Sequence, residues 1–157
     1  VLQGGGRPDA GWIVPATIKF FTPGTTDVLT ATPLYQFNVN TTKSGSTAIC
    51  TVSGFQPGTY DVTVVSTHNL LNVKRNVVIS GSGDTVDMGT LLEGDANDDG
   101  IINISDFGIL AVAFMKSTGE SGWDIRADFD RNGIINISDF GLLAVNFMRF
   151  SPITVTP

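Results

Sequence analysis

The chain has 157 residues, 41% of them hydrophobic, which gives room for one or two small domains with cores of their own. A formal charge of −6 and the lack of any basic stripe argue against nucleic acid as a partner. The lone Cys50 cannot form an internal disulfide, and no apolar run approaches the roughly 18 residues needed to cross a bilayer.

The chain opens on Val1 with no signal peptide and is expected to be a piece of a longer protein. Up to Thr90 it is rich in threonine, valine and glycine and carries few charges. Period-two alternation over Ala16 to Phe20, Tyr35 to Val39 and Tyr60 to Val64 predicts strands. Turn residues at Thr22-Pro23-Gly24 and Gln56-Pro57-Gly58 separate them. Two further strands are predicted over Leu71 to Ile79 and Thr85 to Leu91, joined across Ser80-Gly81-Ser82-Gly83. Short strands of this spacing predict an antiparallel β-sandwich. Trp12 is expected in the core or at a domain boundary, His68 in a turn, and Cys50 as a small buried hydrophobe. No Ser or Cys is tied by motif to His68, so no catalytic site is expected. The stretch GFQPGTYDVTVVS, Gly54 to Ser66, resembles a signature of carboxypeptidase-regulatory-like and B-type domains, both prealbumin-like sandwiches.

The dominant feature lies further on. DANDDGIINISD, Asp95 to Asp106, returns 33 residues later as DFDRNGIINISD, Asp128 to Asp139. FGILAVAFMK is then answered by FGLLAVNFMR. Side-chain oxygens fall at loop positions one, three, five, nine and twelve: Asp95, Asn97, Asp99, Asn103 and Asp106, then Asp128, Asp130, Asn132, Asn136 and Asp139. Position seven, Ile101 and Ile134, offers its carbonyl, and position six is Gly100 or Gly133. Hard oxygens in a flexible loop suit calcium, which takes six to eight of them. Position eight, Ile102 and Ile135, is expected to form a backbone rung between the two loops. The pattern is that of an EF-hand loop with Asp in place of Glu at the last position. Ten of the fifteen acidic residues fall between Glu93 and Asp139.

An entering helix is missing before Asp95, so each unit reads as a loop followed by one helix. Such paired units resemble a dockerin module, over about Glu93 to Pro152. The resemblance implies a non-catalytic plug that holds two calcium ions and binds a cohesin module of another secreted protein, as in cellulosome-like assemblies on polysaccharide. Carried over by position, it implies partner contacts at Ile104, Ser105, Ala111, Val112 and Lys116, and at Ile137, Ser138, Ala144, Val145 and Arg149. Near identity of the two sets implies a pseudo-two-fold axis and two docking orientations.

Helix spacing predicts core stripes of Phe107, Leu110, Ala111, Phe114 and Met115, and of Phe140, Leu143, Ala144, Phe147 and Met148. Ala111 and Ala144 thus belong to both the stripe and the contact set. The first helix is expected to be capped by Ser105, and a short helix is expected within Ser121 to Phe129, with Trp123 and Ile125 inward. Ile104, Ile109, Val112, Ile137, Leu142 and Val145 leave the other helix faces apolar, as an interaction surface would be. The expected fold is therefore two domains. An N-terminal antiparallel β-sandwich (residues 1–92, X-module-like) precedes a small all-α dockerin fold with two EF-hand-like units (residues 93–157), with Glu93-Gly94 as the linker. The chain is expected to be secreted or at the cell surface, monomeric when free and outside the membrane. The competing expectation is a purely structural calcium module whose helices are covered by its own β-sandwich.

Overall fold

Alternating aromatic and β-branched side chains favour a pleated, half-buried backbone, and they build the strands of the first half. The computed structural model describes residues 1–81 and 83–156. Its strands are β1 (Pro15–Phe21), β2 (Tyr35–Asn40), β3 (Thr42–Ser44), β4 (Thr47–Ile49), β5 (Gly58–Ser66), β6 (Asn72–Ile79) and β7 (Ile153–Val155). Five of them form one sheet in the order β2-β1-β5-β6-β7, and β3 pairs with β4 as a separate hairpin. Neighbours in the sheet are antiparallel except β7, which joins β6 in parallel. One sheet face buries Ile18, Phe20, Val62, Val64, Val77 and Ile79. Ala48, Val52, Phe55 and Met88 pack against that face from the hairpin and the irregular segments. Phe20 sits at the centre, its ring 4.6–6.5 Å from those of Tyr35, Phe37, Phe55 and Tyr60. Each aromatic pair adds about 0.5–1.5 kcal/mol beyond the area it buries.

At Asp61 the pairing of β5 with β6 slips by a residue. Its fully buried carboxylate accepts hydrogen bonds from the N–H groups of Gly24, Thr25 and Asn76 and from Arg75 Nη1. Burial opposes the charge, yet these donors hold the carboxyl below its ordinary range.

Trp12 is buried in the core, and His68 lies in the turn after β5. The strand expected over Thr85 to Leu91 does not form, since Asp87 Oδ1 accepts the Gly89 N–H and Gly89 takes φ +72°. A local side-chain bond of this kind competes with a ladder. The Ser80 to Gly83 connection includes Ser82, and the expected C-terminal unit includes Pro157; both lie outside the described residues. Cys50 is exposed just beyond β4 rather than buried.

The second half carries α1 (Ile104–Ala113), α2 (Ile137–Val145) and a 3-10 turn at Ile125–Ala127. Its core is Ala96, Ile102, Leu110, Ala113, Ala127, Phe129, Ile135 and Leu143. Trp123 packs against this core, but Ile125 points to solvent.

The expected division into a β-sandwich and a separate all-α unit is corrected here: the chain is one β-rich body with two short helices. Leu70, from the loop after β5, is a fully buried member of the second core. β7 brings the C-terminal end into the first-half sheet. Glu93, expected in a linker, is wholly buried against Arg7 at 2.7 Å. Gly94 follows at φ +125°, where a Cβ would stand 3.1 Å from the Leu143 Cα. The physical reason is size. Helices of ten and nine residues cannot enclose their own apolar side chains, so the fold borrows surface from the sheet.

Because the two cores share elements, unfolding is expected to be a single transition. Phe20→Ala should cost about 3–5 kcal/mol and lower the far-UV helical signal and the tryptophan fluorescence midpoints together in urea. Separate midpoints would contradict the single body.

Candidate metal centres and the surface they support

Both loops fold around their own carboxylates. Asp95 accepts the N–H groups of Asp99 and Gly100 at 3.1 and 2.8 Å, and Asp128 accepts those of Asn132 and Gly133 at 3.0 and 2.9 Å. Gly100 and Gly133 turn the chain at φ +83° and +85°, a region open to glycine at no steric cost. At position twelve, Asp106 accepts from Asn97 N–H and Asp139 from Asp130 N–H, each at 3.2 Å. The same carboxylates reach back to the N–H groups of Asn103 and Asn136 at 2.8 and 2.9 Å. The side chains of Asn103 and Asn136 in turn accept from Ser105 and Ser138 N–H at 2.7 Å. These reciprocal bonds are capping boxes. The cap of α1 is therefore Asn103, not Ser105, and one Asp per unit both closes the loop and starts the helix.

The rung expected between Ile102 and Ile135 is replaced by an exchange. Ile102 trades backbone hydrogen bonds with Met148 and Arg149 at the exit of α2. Ile135 does the same with Met115 and Lys116 beyond α1. Each loop is thus clipped to the far end of the other unit's helix, with Met115 and Met148 at matching φ of +63° and +65°. Phe107 and Phe140 meet edge to face at 6.2 Å between the helices. The two units thus make matching contacts with each other.

The donor set fits a hard divalent cation. Asp128, Asp130 and Asp139 each aim a carboxylate oxygen into a space where all three lie within 4.8 Å of one another. Asp95, Asp106, Asp128, Asp130 and Asp139 are all buried, while Asp99 is exposed with its Oδ2 accepting from Asn97 Nδ2. Ile101 and Ile134 turn their side chains out, and their carbonyls accept from the Asn103 and Asn136 amides at 3.3 Å. Buried like charges need a counter-charge. Burial, with Asp106 and Asp98 adding repulsion, pushes Asp95 up to about 7 against the pull of the Gly100 N–H. Burial and the neighbouring Asp139 and Asp128 push Asp130 to about 6, and burial also raises Asp139. Oxygen-only ligands at this density suit calcium. Zinc would call for His and Cys, and the buried His68 and exposed Cys50 lie outside the donor set.

The helix faces depart from the expected stripes. Leu110 and Ala113, and Leu143 in the second helix, point inward, and Asn146 beyond it is buried too. Phe107, Phe114, Phe140 and Phe147 stand half-way out, while Met115 and Met148 are exposed. Ala111 and Ala144, which periodicity left between two roles, are on the surface. So are Ile104, Ser105, Val112, Ile137, Ser138, Val145 and Arg149, with Lys116 half-buried. Val112 is 81% and Val145 66% exposed, whereas Ile109 and Leu142 are half-buried against the second core. The sheet therefore does not cover both helix faces. Among the described residues, nothing outside their own helix backbone lies within 4 Å of where a Cβ would stand on Gly108 or Gly141.

Three supports of the loops went unseen in the sequence. His68 gives its N–H to Asp98 Oδ1 at 2.6 Å and accepts from the N–H groups of Gly94 and Asp95. Arg7 reaches the Phe129 carbonyl at 2.9 Å, and Arg131 reaches the Thr67 carbonyl at 3.0 Å. All three join residues far apart in the chain, and no local pattern marks them.

No family model and no curated protein matches the chain. Its fold is similar to solved structures. One is a C-terminal interface mutant of a type II cohesin–X-dockerin complex from Acetivibrio cellulolyticus, at a TM-score of 0.64 and 22% identity over 96% of this chain and 90% of that one. Another is an N-terminal interface mutant of the same kind of complex from that organism, at 0.60 and 20% identity with the same coverage. The likeness runs through both halves of the chain.

Raised carboxyls bind protons more readily in the folded state than in the unfolded one, whose values lie near 4. Without metal, the contribution of these three groups is therefore fullest below about pH 4 and is lost as pH rises towards about 7. Glu93, pushed up to about 7 chiefly by burial, slopes the same way, and His68, held low chiefly by burial, slopes the other way. In chelator, the thermal midpoint is expected to drop between pH 5 and 7. A flat or rising midpoint would contradict the electrostatic reading.

Proposed function

We propose that the chain is a non-catalytic protein-interaction module of the cohesin–dockerin kind, taking the dockerin role with one calcium ion in each of the loops Asp95 to Asp106 and Asp128 to Asp139. The ions would be held by Asp95, Asn97, Asp99, the Ile101 carbonyl, Asn103 and Asp106, and by Asp128, Asp130, Asn132, the Ile134 carbonyl, Asn136 and Asp139. Calcium supplies the positive charge that these buried carboxylates lack. The residues themselves orient the loop, cap each helix and present its outer face. The observation that carries the reading is the pairing of acidic, capped loops with exposed apolar helix surface at Ile104, Val112, Ile137 and Val145. Exposed apolar surface of this kind marks an interaction site. That exposure weighs against a purely structural calcium module with covered helices. Millimolar extracellular calcium matches weak oxygen-ligand sites, so we place the protein outside the cell or on its surface.

A type II cohesin is the direct probe. Immobilised cohesin should retain the chain in calcium and release it in chelator. With two docking faces, Ile104→Asp with Val112→Asp, or Ile137→Asp with Val145→Asp, should each leave retention largely intact, and all four substitutions together should weaken it by about tenfold or more. If only one pair matters, docking has a single orientation. Failure to bind cohesin, or capture of a dockerin instead, would reverse the assigned role.

A further inference from the structure

The two loops are nearly alike in sequence, yet the fold surrounds them differently. The N-terminal segment before β1 lies along loop two. Arg7 Nη2 donates to the Gln3 carbonyl, to Glu93 Oε1 and to the Phe129 carbonyl, at 2.7, 2.7 and 2.9 Å, while Nη1 donates to the Gly11 carbonyl at 3.2 Å. The Phe129 carbonyl belongs to the same peptide unit as the Asp130 N–H, which donates to Asp139 Oδ1 at 3.2 Å. That peptide plane is therefore pinned on one side by a guanidinium and on the other by the carboxylate at position twelve. A cation on the carbonyl polarises the peptide and strengthens the N–H as a donor.

Closer contacts repeat the theme. A Cβ on Gly4 would stand 3.5 Å from Asp130 Cβ, and one on Gly11 would stand 3.1 Å from Arg131 Cβ. Asn146, just past α2, donates to Gln3 Oε1 and to the Glu93 carbonyl. In loop one the matching peptide unit is Ala96-Asn97. Its N–H also reaches position twelve, at Asp106. Among the described residues, no arginine or lysine donates to the Ala96 carbonyl. Loop one instead receives the His68 N–H at Asp98, which is not among the proposed ligands.

We propose that Arg7 is a positioning residue for the second metal loop alone, so that two loops of matching sequence depend on different parts of the chain for their calcium. The proposal rests on the calcium reading given above. Groups that orient a ligand from behind typically change metal affinity by 10–100-fold when lost. A lysine at position 7 keeps the charge but cannot fork to the Glu93 carboxylate and the Phe129 and Gly11 carbonyls at once.

Two single-site parents separate the loops. Asp95→Ala leaves loop two, and Asp128→Ala leaves loop one. Each is combined with Arg7→Lys, and separately with Arg7→Met plus Glu93→Met, an apolar pair that removes both partners of the buried bridge while Arg131, which also faces Glu93, stays in place. Calcium is titrated by calorimetry, with the fold followed by circular dichroism. The expected result is a loss of roughly 10–100-fold at loop two and of no more than about threefold at loop one. Equal losses at both loops, no loss at loop two, or unfolding of both variants would overturn it, since Arg7 would then serve the fold at large or nothing. If neither parent binds calcium, the calcium reading itself fails, and this proposal falls with it.

Discussion

Five buried carboxylates, Asp95, Asp106, Asp128, Asp130 and Asp139, constrain everything around them. Backbone N–H groups from their own loops neutralise part of that charge, and the capping boxes use another part to start α1 and α2. What remains is the cost of burying charge, to which neighbouring carboxylates add, and both raise Asp95, Asp130 and Asp139. A bound cation would relieve it at both loops. Loop geometry, helix start and the exposure of the outer helix faces are consequently one coupled arrangement.

That arrangement is held in place by the sheet. Leu70 completes the second core, β7 crosses back to β6, and the Arg7–Glu93 pair sits wholly inside the body. A buried pair of this sort is weak evidence for net stability, because desolvation offsets much of the attraction. Its value here is positional. Arg7 also holds the Phe129 carbonyl, so the N-terminal segment and the second loop keep one relative placement.

Much of this was legible from residues alone where the signal was local. Period-two runs marked β1, β2, β5 and β6, and the repeat with glycine at position six marked both loops. The helix stripes were misread because Phe107, Phe114 and Met115 are apolar yet face outward. Periodicity finds an apolar stripe but cannot tell a core from a surface kept free for another molecule. Asn103 was seen as a donor to metal but not as a cap, since one side chain serves both. The division into two domains failed for a related reason. A change of composition near Thr90 was visible, whereas Leu70, Ile153 and Arg7 carry no mark of the long-range contacts that join the halves.

The account turns on charge relief at the loops. Native mass spectrometry of the intact chain, exchanged from chelator into calcium, measures it directly. Two calcium ions should add per chain, and one after Asp128→Ala. A chain that stays metal-free, or that keeps the same uptake when Asp95 and Asp128 are both replaced by Ala, would contradict it.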